Sequence, residues 1–160
     1  MQVKDLVNNY LQTKAISEND IEQIRIDREL RSDLCKYFGT VKNREFALEL
    51  WNTVIELRKN PEKEILIDDL MLACYILGLH QQVADCRLIW KAKNVDFDAF
   101  CGVDVQLMAF AGAAPAISYL QTTNGDDVKA ALKYMIDCSN AGDFDNLEDY
   151  FSLDNLPWWV

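Results

Sequence analysis

The scarcity of helix-breaking residues is the feature that most constrains the fold of this chain. Its 160 residues include only 3 prolines and 6 glycines, and 50% of them are hydrophobic. Apolar residues recur at three- and four-residue spacing along nearly the whole sequence, which is the period of an amphipathic helix. We therefore predict an all-α fold in a single domain over residues 1–160, because this length can bury one substantial core.

Caps and breakers divide the pattern into eight or nine helices. Ser17 with Asp20 three residues later is typical of a helix start, whereas Gly39, Gly78 and Gly142 are placed as helix ends. The helix after residue 64 is apolar almost all round, which predicts a central position. The predicted helices are 3–13, 18–37, 42–58, 64–77, 81–93, 96–110, 116–121 and 126–140, with a short ninth over 146–151.

An Asp-Phe-Asp triplet occurs twice, at 96–98 and at 143–145, so that the copies lie 47 residues apart. This spacing is near the period of two-helix solenoid repeats. One hypothesis is therefore a stack of antiparallel helical hairpins of the HEAT-like kind. The alternative is coincidence, because aspartate is a favoured N-cap and each triplet would place one at a helix start.

Charge is distributed unevenly along the chain, whose formal net charge is −10. Residues 94–160 hold 11 acidic residues against 2 lysines, whereas residues 1–93 hold 15 acidic and 14 basic residues. A region of one sign attracts a partner of the opposite sign and repels nucleic acid and anionic membrane. Within the single domain we distinguish a charge-balanced part, 1–93, from a strongly acidic part, 94–160. We expect a basic protein partner, and neither nucleic acid nor membrane.

Most acidic residues after position 94 fall at predicted loops and helix starts. If the helices stack as hairpins, alternate helix starts share one edge, and the carboxylates would form a rim that selects a partner and accelerates association. The alternative is that they only keep the protein soluble. The two C-terminal tryptophans either dock on the core or stand exposed as binding hot spots. The candidate partner-binding residues are Asp96, Asp98, Asp126, Asp127, Asp143, Asp145, Glu148, Asp149, Trp158 and Trp159.

No motif indicates catalysis, a metal or a cofactor, and we expect none of these. The 5 cysteines are odd in number and irregularly spaced, which predicts neither disulfides nor a zinc site and favours a reducing compartment. Residues 143–149 lack the glycine and the third ligand of a calcium loop, and a capping box of Asp145 and Glu148 explains them better. The lone His80 could pair with any thiol. Without a signal-peptide pattern or a long apolar run, we expect a cytoplasmic protein.

A small, acidic, helical chain with Asp-Phe-Asp helix starts resembles the bacterial immunity proteins that neutralise contact-dependent or polymorphic toxins. The resemblance implies a tight complex with a toxin domain, often a basic nuclease, in which the acidic residues replace phosphates and block the substrate site. The alternative is a helical-repeat adaptor or scaffold that binds a peptide or a protein subunit in a concave groove. Strong salt dependence of association would favour immunity, and an apolar, salt-insensitive ligand would favour the adaptor.

Overall fold

The computed structural model describes all residues from Met1 to Val160 and contains helices but no strands, which confirms the all-α class. None of the helices is both long and apolar enough to cross a bilayer. Two 3₁₀ segments, Val83–Asp85 and Val105–Ala109, interrupt the series of α-helices. The ten α-helices are α1 Val3–Thr13, α2 Glu18–Ile26, α3 Arg28–Thr40, α4 Arg44–Lys59, α5 Ile67–Gly78, α6 Cys86–Lys93, α7 Phe97–Gly102, α8 Ala113–Thr122, α9 Asp126–Ala141 and α10 Leu147–Tyr150.

The second predicted helix is two helices, α2 and α3, which meet at Asp27. There the backbone leaves the helical region (φ −108°, ψ 96°), and the Asp27 carboxylate accepts a hydrogen bond from the N–H of Leu30 at 3.0 Å. Asp27 therefore ends one helix and caps the next. Gly39 does not end α3, since the helix continues to Thr40. A Cβ at Gly39 would lie 2.3 Å from the Leu153 side chain, so this glycine permits close packing instead.

The predicted helix 96–110 is also two elements, α7 and a 3₁₀ segment, and Lys93 explains the break. Its side chain is 2% exposed, and its Nζ donates hydrogen bonds to the carbonyl oxygens of Phe100 at 2.6 Å and Val103 at 2.5 Å. These are carbonyls at the end of α7 that lack helical partners, and a cation is favourable at such an end. Burial lowers the pKa of Lys93.

Helix α5 forms the centre of the molecule, as its apolar sequence predicts. Every residue from Asp69 to Gly78 is buried. The most extensive packing joins consecutive helices, α4 with α5 and α8 with α9. The hydrophobic core comprises 44 buried residues between Val3 and Trp159. The charge-balanced and acidic parts of the chain therefore share one core.

The two Asp-Phe-Asp triplets occupy different structural positions. Asp96 caps α7, because its carboxylate accepts a hydrogen bond from the N–H of Ala99 at 2.8 Å. The second triplet lies in the turn after α9, and Asn146 takes the N-cap position of α10 with no side-chain hydrogen bond. The predicted capping box of Asp145 and Glu148 is therefore wrong, and the triplets give no support to a helical repeat.

Candidate functional site

An open groove of about 740 Å³ lies where α10 and the C-terminal tail meet the second 3₁₀ segment. We call it the C-terminal groove and define it by its lining residues, 104, 106, 142, 143, 146, 149, 150 and 155–159. Four of the candidate partner-binding residues, Asp143, Asp149, Trp158 and Trp159, line this groove. The structure thus gathers in one place acidic and aromatic residues that the sequence identified separately.

The turn that carries Asp143 is fixed by backbone hydrogen bonds. Gly142 has φ +85°, and the N–H of Gly142 and of Asp143 donate to the carbonyls of Ser139 at 3.2 Å and Cys138 at 3.1 Å. This is the Schellman arrangement, in which glycine accepts the left-handed conformation that ends a helix. The side chain of Gln106 donates to the Asp143 carbonyl at 3.1 Å. The Asp143 carboxylate is therefore presented from a rigid support.

Asp104 is a third carboxylate of the groove, and the sequence gave no sign of it. Its Oδ2 accepts a hydrogen bond from the Tyr150 hydroxyl at 2.8 Å. Burial, and then the neighbouring Asp104, raise the pKa of Tyr150, so the hydroxyl stays protonated at neutral pH. None of Asp104, Asp143 and Asp149 lies within ion-pair distance of a basic side chain. The groove therefore holds three carboxylates without internal counter-charges.

The two C-terminal tryptophans have opposite environments. Trp159 is 3% exposed and packs edge-on against Tyr75, with ring centroids 5.7 Å apart. Trp158 is 78% exposed. The sequence left docking and exposure open for the pair, and each residue takes one of them. A large aromatic ring with this exposure beside unpaired carboxylates is well suited to contact a partner.

The guanidinium of Arg31 attaches the tail to the core. The residue is 4% exposed, and its nitrogens donate to Asp69 Oδ1 at 2.8 Å and to the Asp68 and Trp159 carbonyls, both at 2.9 Å. Asp69 is 5% exposed and also accepts a hydrogen bond from the N–H of Leu66 at 2.9 Å. The conformation of one groove wall thus depends on a buried ion pair that joins α3 to the start of α5.

The other candidate acidic residues do not join the groove. Asp96 pairs with Arg58 at 2.7 Å and Asp127 with Arg87 at 3.0 Å, and these hydrogen bonds hold the pKa of each carboxyl below its usual range. Asp126 lies at the opposite end of α9, whose 16 residues span about 24 Å. Those that are exposed but outside the groove lining are Asp98, Asp126, Asp145 and Glu148. The single acidic rim predicted from the sequence is therefore only partly assembled.

His80 makes backbone hydrogen bonds with both ring nitrogens. Its Nε2 accepts from the N–H of Asn43 at 3.1 Å, and its Nδ1 lies 3.0 Å from the carbonyl of Ile76. A neutral ring protonated on Nδ1 satisfies both contacts. Burial lowers the pKa of His80. The ring therefore joins the end of α5 to the start of α4, and both nitrogens are occupied.

We expect this contact to make the protein less stable in mild acid. A lowered native pKa means that the stability contributed by His80 is present above its ordinary value of 6.5 and is lost as the pH falls toward the native value. Urea unfolding of the wild type and of His80→Gln at several pH values between about 7.5 and 5.5 measures the effect. The wild type should lose more stability than the variant, and equal losses would contradict the assignment. The chain has 1 histidine, so the difference reports on this ring.

Comparison with protein-family models, with curated proteins and with solved structures finds no match. The functional inference therefore depends on what the C-terminal groove can do chemically. Its carboxylates lack counter-charges, its exposed indole can stack on a cation, and its walls are fixed by hydrogen bonds. These properties match a guanidinium or ammonium group of a partner better than an anionic ligand.

Proposed function

We propose that this chain is an immunity-type binding protein that neutralises a basic toxin domain by covering its active site with the C-terminal groove. One observation carries the proposal: the unpaired carboxylates of Asp143 and Asp149 lie in the same groove as the exposed ring of Trp158. Acidic side chains in the groove would occupy the sites where a basic nuclease binds phosphates. The role of a nuclease follows from the resemblance to immunity proteins.

The two kinds of group would contribute differently to the complex. The negative field of the acidic part accelerates the encounter with a basic surface. Trp158 supplies apolar area and a ring face for a lysine or arginine, and tryptophan is enriched among residues that dominate binding energy. Of the 12 residues that line the groove only 4 are hydrophobic. This lining favours a basic partner over the apolar peptide that the adaptor alternative requires.

A growth assay in a naive bacterial host tests the proposal. The C-terminal domain encoded by the gene immediately upstream is expressed with and without this chain. We expect the domain to stop growth alone and growth to resume when the chain is present. A harmless domain, or a toxic one that the chain does not neutralise, would contradict the immunity function and favour the adaptor.

A further inference from the structure

Four large apolar side chains stand exposed near the N-terminal end of α5. The exposed fractions are 62% for Ile26, 47% for Leu66, 79% for Phe97 and 78% for Trp158. Single exposed apolar residues are normal on a protein surface, whereas a group of them in one region marks an interaction site. These four come from the end of α2, the start of α5, the start of α7 and the tail, so the question is what brings them together.

Two arginines that flank Ile26 connect it to two of the other segments. Arg25 Nη1 donates to the carbonyl of Glu64 at 3.0 Å, two residues before Leu66. Arg28 Nη2 donates to the carbonyl of Trp158 itself at 2.8 Å. The junction of α2 and α3 is therefore held against both the start of α5 and the tail.

Two further arginines complete the arrangement. Arg58 donates to the carbonyl of Ile65 and, at 2.7 Å, to the carboxylate of Asp96, which directly precede Leu66 and Phe97. Arg31 joins the start of α5 to Trp159 through the hydrogen bonds described above. The four arginines thus fix all four segments along one side of the molecule. We call the exposed side chains of Ile26, Leu66, Phe97 and Trp158 the apolar edge.

The charges behind the apolar edge are paired with one another. Arg25 lies 2.8 Å from the Glu22 carboxylate, Arg31 lies 2.8 Å from that of Asp69, and Arg58 lies 2.7 Å from that of Asp96. The C-terminal groove differs, since its carboxylates have no such partners. The edge therefore offers apolar area with little net field, the groove offers unpaired negative charge, and Trp158 belongs to both.

We propose that the apolar edge and the C-terminal groove form one docking surface for an amphipathic segment of a protein partner. Large apolar side chains of that segment pack on Phe97 and Leu66, and its lysines or arginines enter the groove beyond Trp158. The charge complementarity of the groove selects this occupant over a purely apolar one. The inference rests on the proposed function for the groove and adds the apolar half of the recognition. The arginine contacts fix the surface before binding, which lowers the entropic cost of association.

Selection of a random 12-residue peptide library on the immobilised wild-type chain tests the proposal. We expect the enriched peptides to combine lysine or arginine with large apolar residues. Phe97→Ala should weaken their binding about tenfold or more. Leu11→Ala removes another side chain that is 51% exposed but belongs to neither surface, and should leave binding unchanged. Circular dichroism melting verifies that both variants fold, which their exposure leads us to expect.

Each other outcome has a distinct meaning. Basic peptides that are insensitive to Phe97→Ala would overturn the apolar half and leave the proposed function intact. Apolar peptides that are insensitive to charge reversal at Asp143 would overturn the role of the groove. Failure to enrich any peptide would contradict both. Self-association of the wild type in sedimentation experiments, abolished by Phe97→Ala, would mean that a second copy covers the edge and would overturn the proposal.

Discussion

Replacing Arg31 by methionine is expected to lower the free energy of unfolding by about 3–5 kcal/mol, the range observed when one partner of a buried ion pair is removed. The variant leaves the Asp69 carboxylate 5% exposed without its counter-charge. It also removes the donor to the carbonyl of Trp159. We therefore expect loss of stability together with release of the tail from the core.

Chemical denaturation measures the first effect, and limited proteolysis with mass spectrometry detects cleavage after residue 151 for the second. Arg28→Met is the matched control, because Arg28 is exposed on the same helix and its hydrogen bond to the tail is solvent-accessible. We expect this control to cost less than about 1 kcal/mol. Adding Asp69→Asn to Arg31→Met should recover part of the loss, since it removes the unpaired charge. Equal stability of the two single variants would contradict the role assigned to Arg31.

Charge reversal in the groove, Asp143→Lys with Asp149→Lys, is expected to weaken binding of the toxin domain about a hundredfold or more and to abolish protection in the growth assay. Both carboxylates are exposed and unpaired, so lysine there repels a basic partner without breaking an internal contact. Isothermal titration calorimetry of the purified pair measures the affinity. The fold should be retained, because surface substitutions usually change stability by less than about 0.5 kcal/mol.

The matched control for this prediction is Asp98→Lys with Asp126→Lys. Both residues belong to the acidic part and are exposed, and the pair changes the net charge by the same amount, but neither lines the groove. We expect at most a modest reduction in the association rate for this control. If both double variants weakened binding equally, general acidity rather than the groove would determine recognition.

The sequence predicts much of the fold because its breakers and caps act locally. The bounds of α1, the capping box at Ser17 and the buried position of α5 all follow from adjacent residues. The errors arise where distant groups decide. Asp27 splits a helical pattern with its own side chain, which neighbouring residues hardly signal. The end of α7 depends on Lys93, a residue of the preceding helix whose burial is set by tertiary packing.

The candidate site shows the same division. Asp143, Asp149 and Trp158 could be predicted because acidic and aromatic residues are conspicuous in this part of the sequence. Asp104 could not, since its place in the groove depends on a hydrogen bond with Tyr150, 46 residues away. Arg31 likewise looks like one of several charges on a solvated helix face, yet it is buried against Asp69 and the tail. Composition identified the charged region, and only tertiary structure shows which charges remain unpaired.

The most direct test of the central claim is the salt dependence of association between this chain and the toxin domain. Stopped-flow fluorescence measures the association rate between about 50 mM and about 500 mM sodium chloride, over which the screening length falls severalfold. Recognition through unpaired groove carboxylates predicts a fall of about tenfold or more, and a clearly smaller fall for Asp143→Lys with Asp149→Lys. A rate that does not change with salt would contradict the claim that the acidic groove recognises a basic partner.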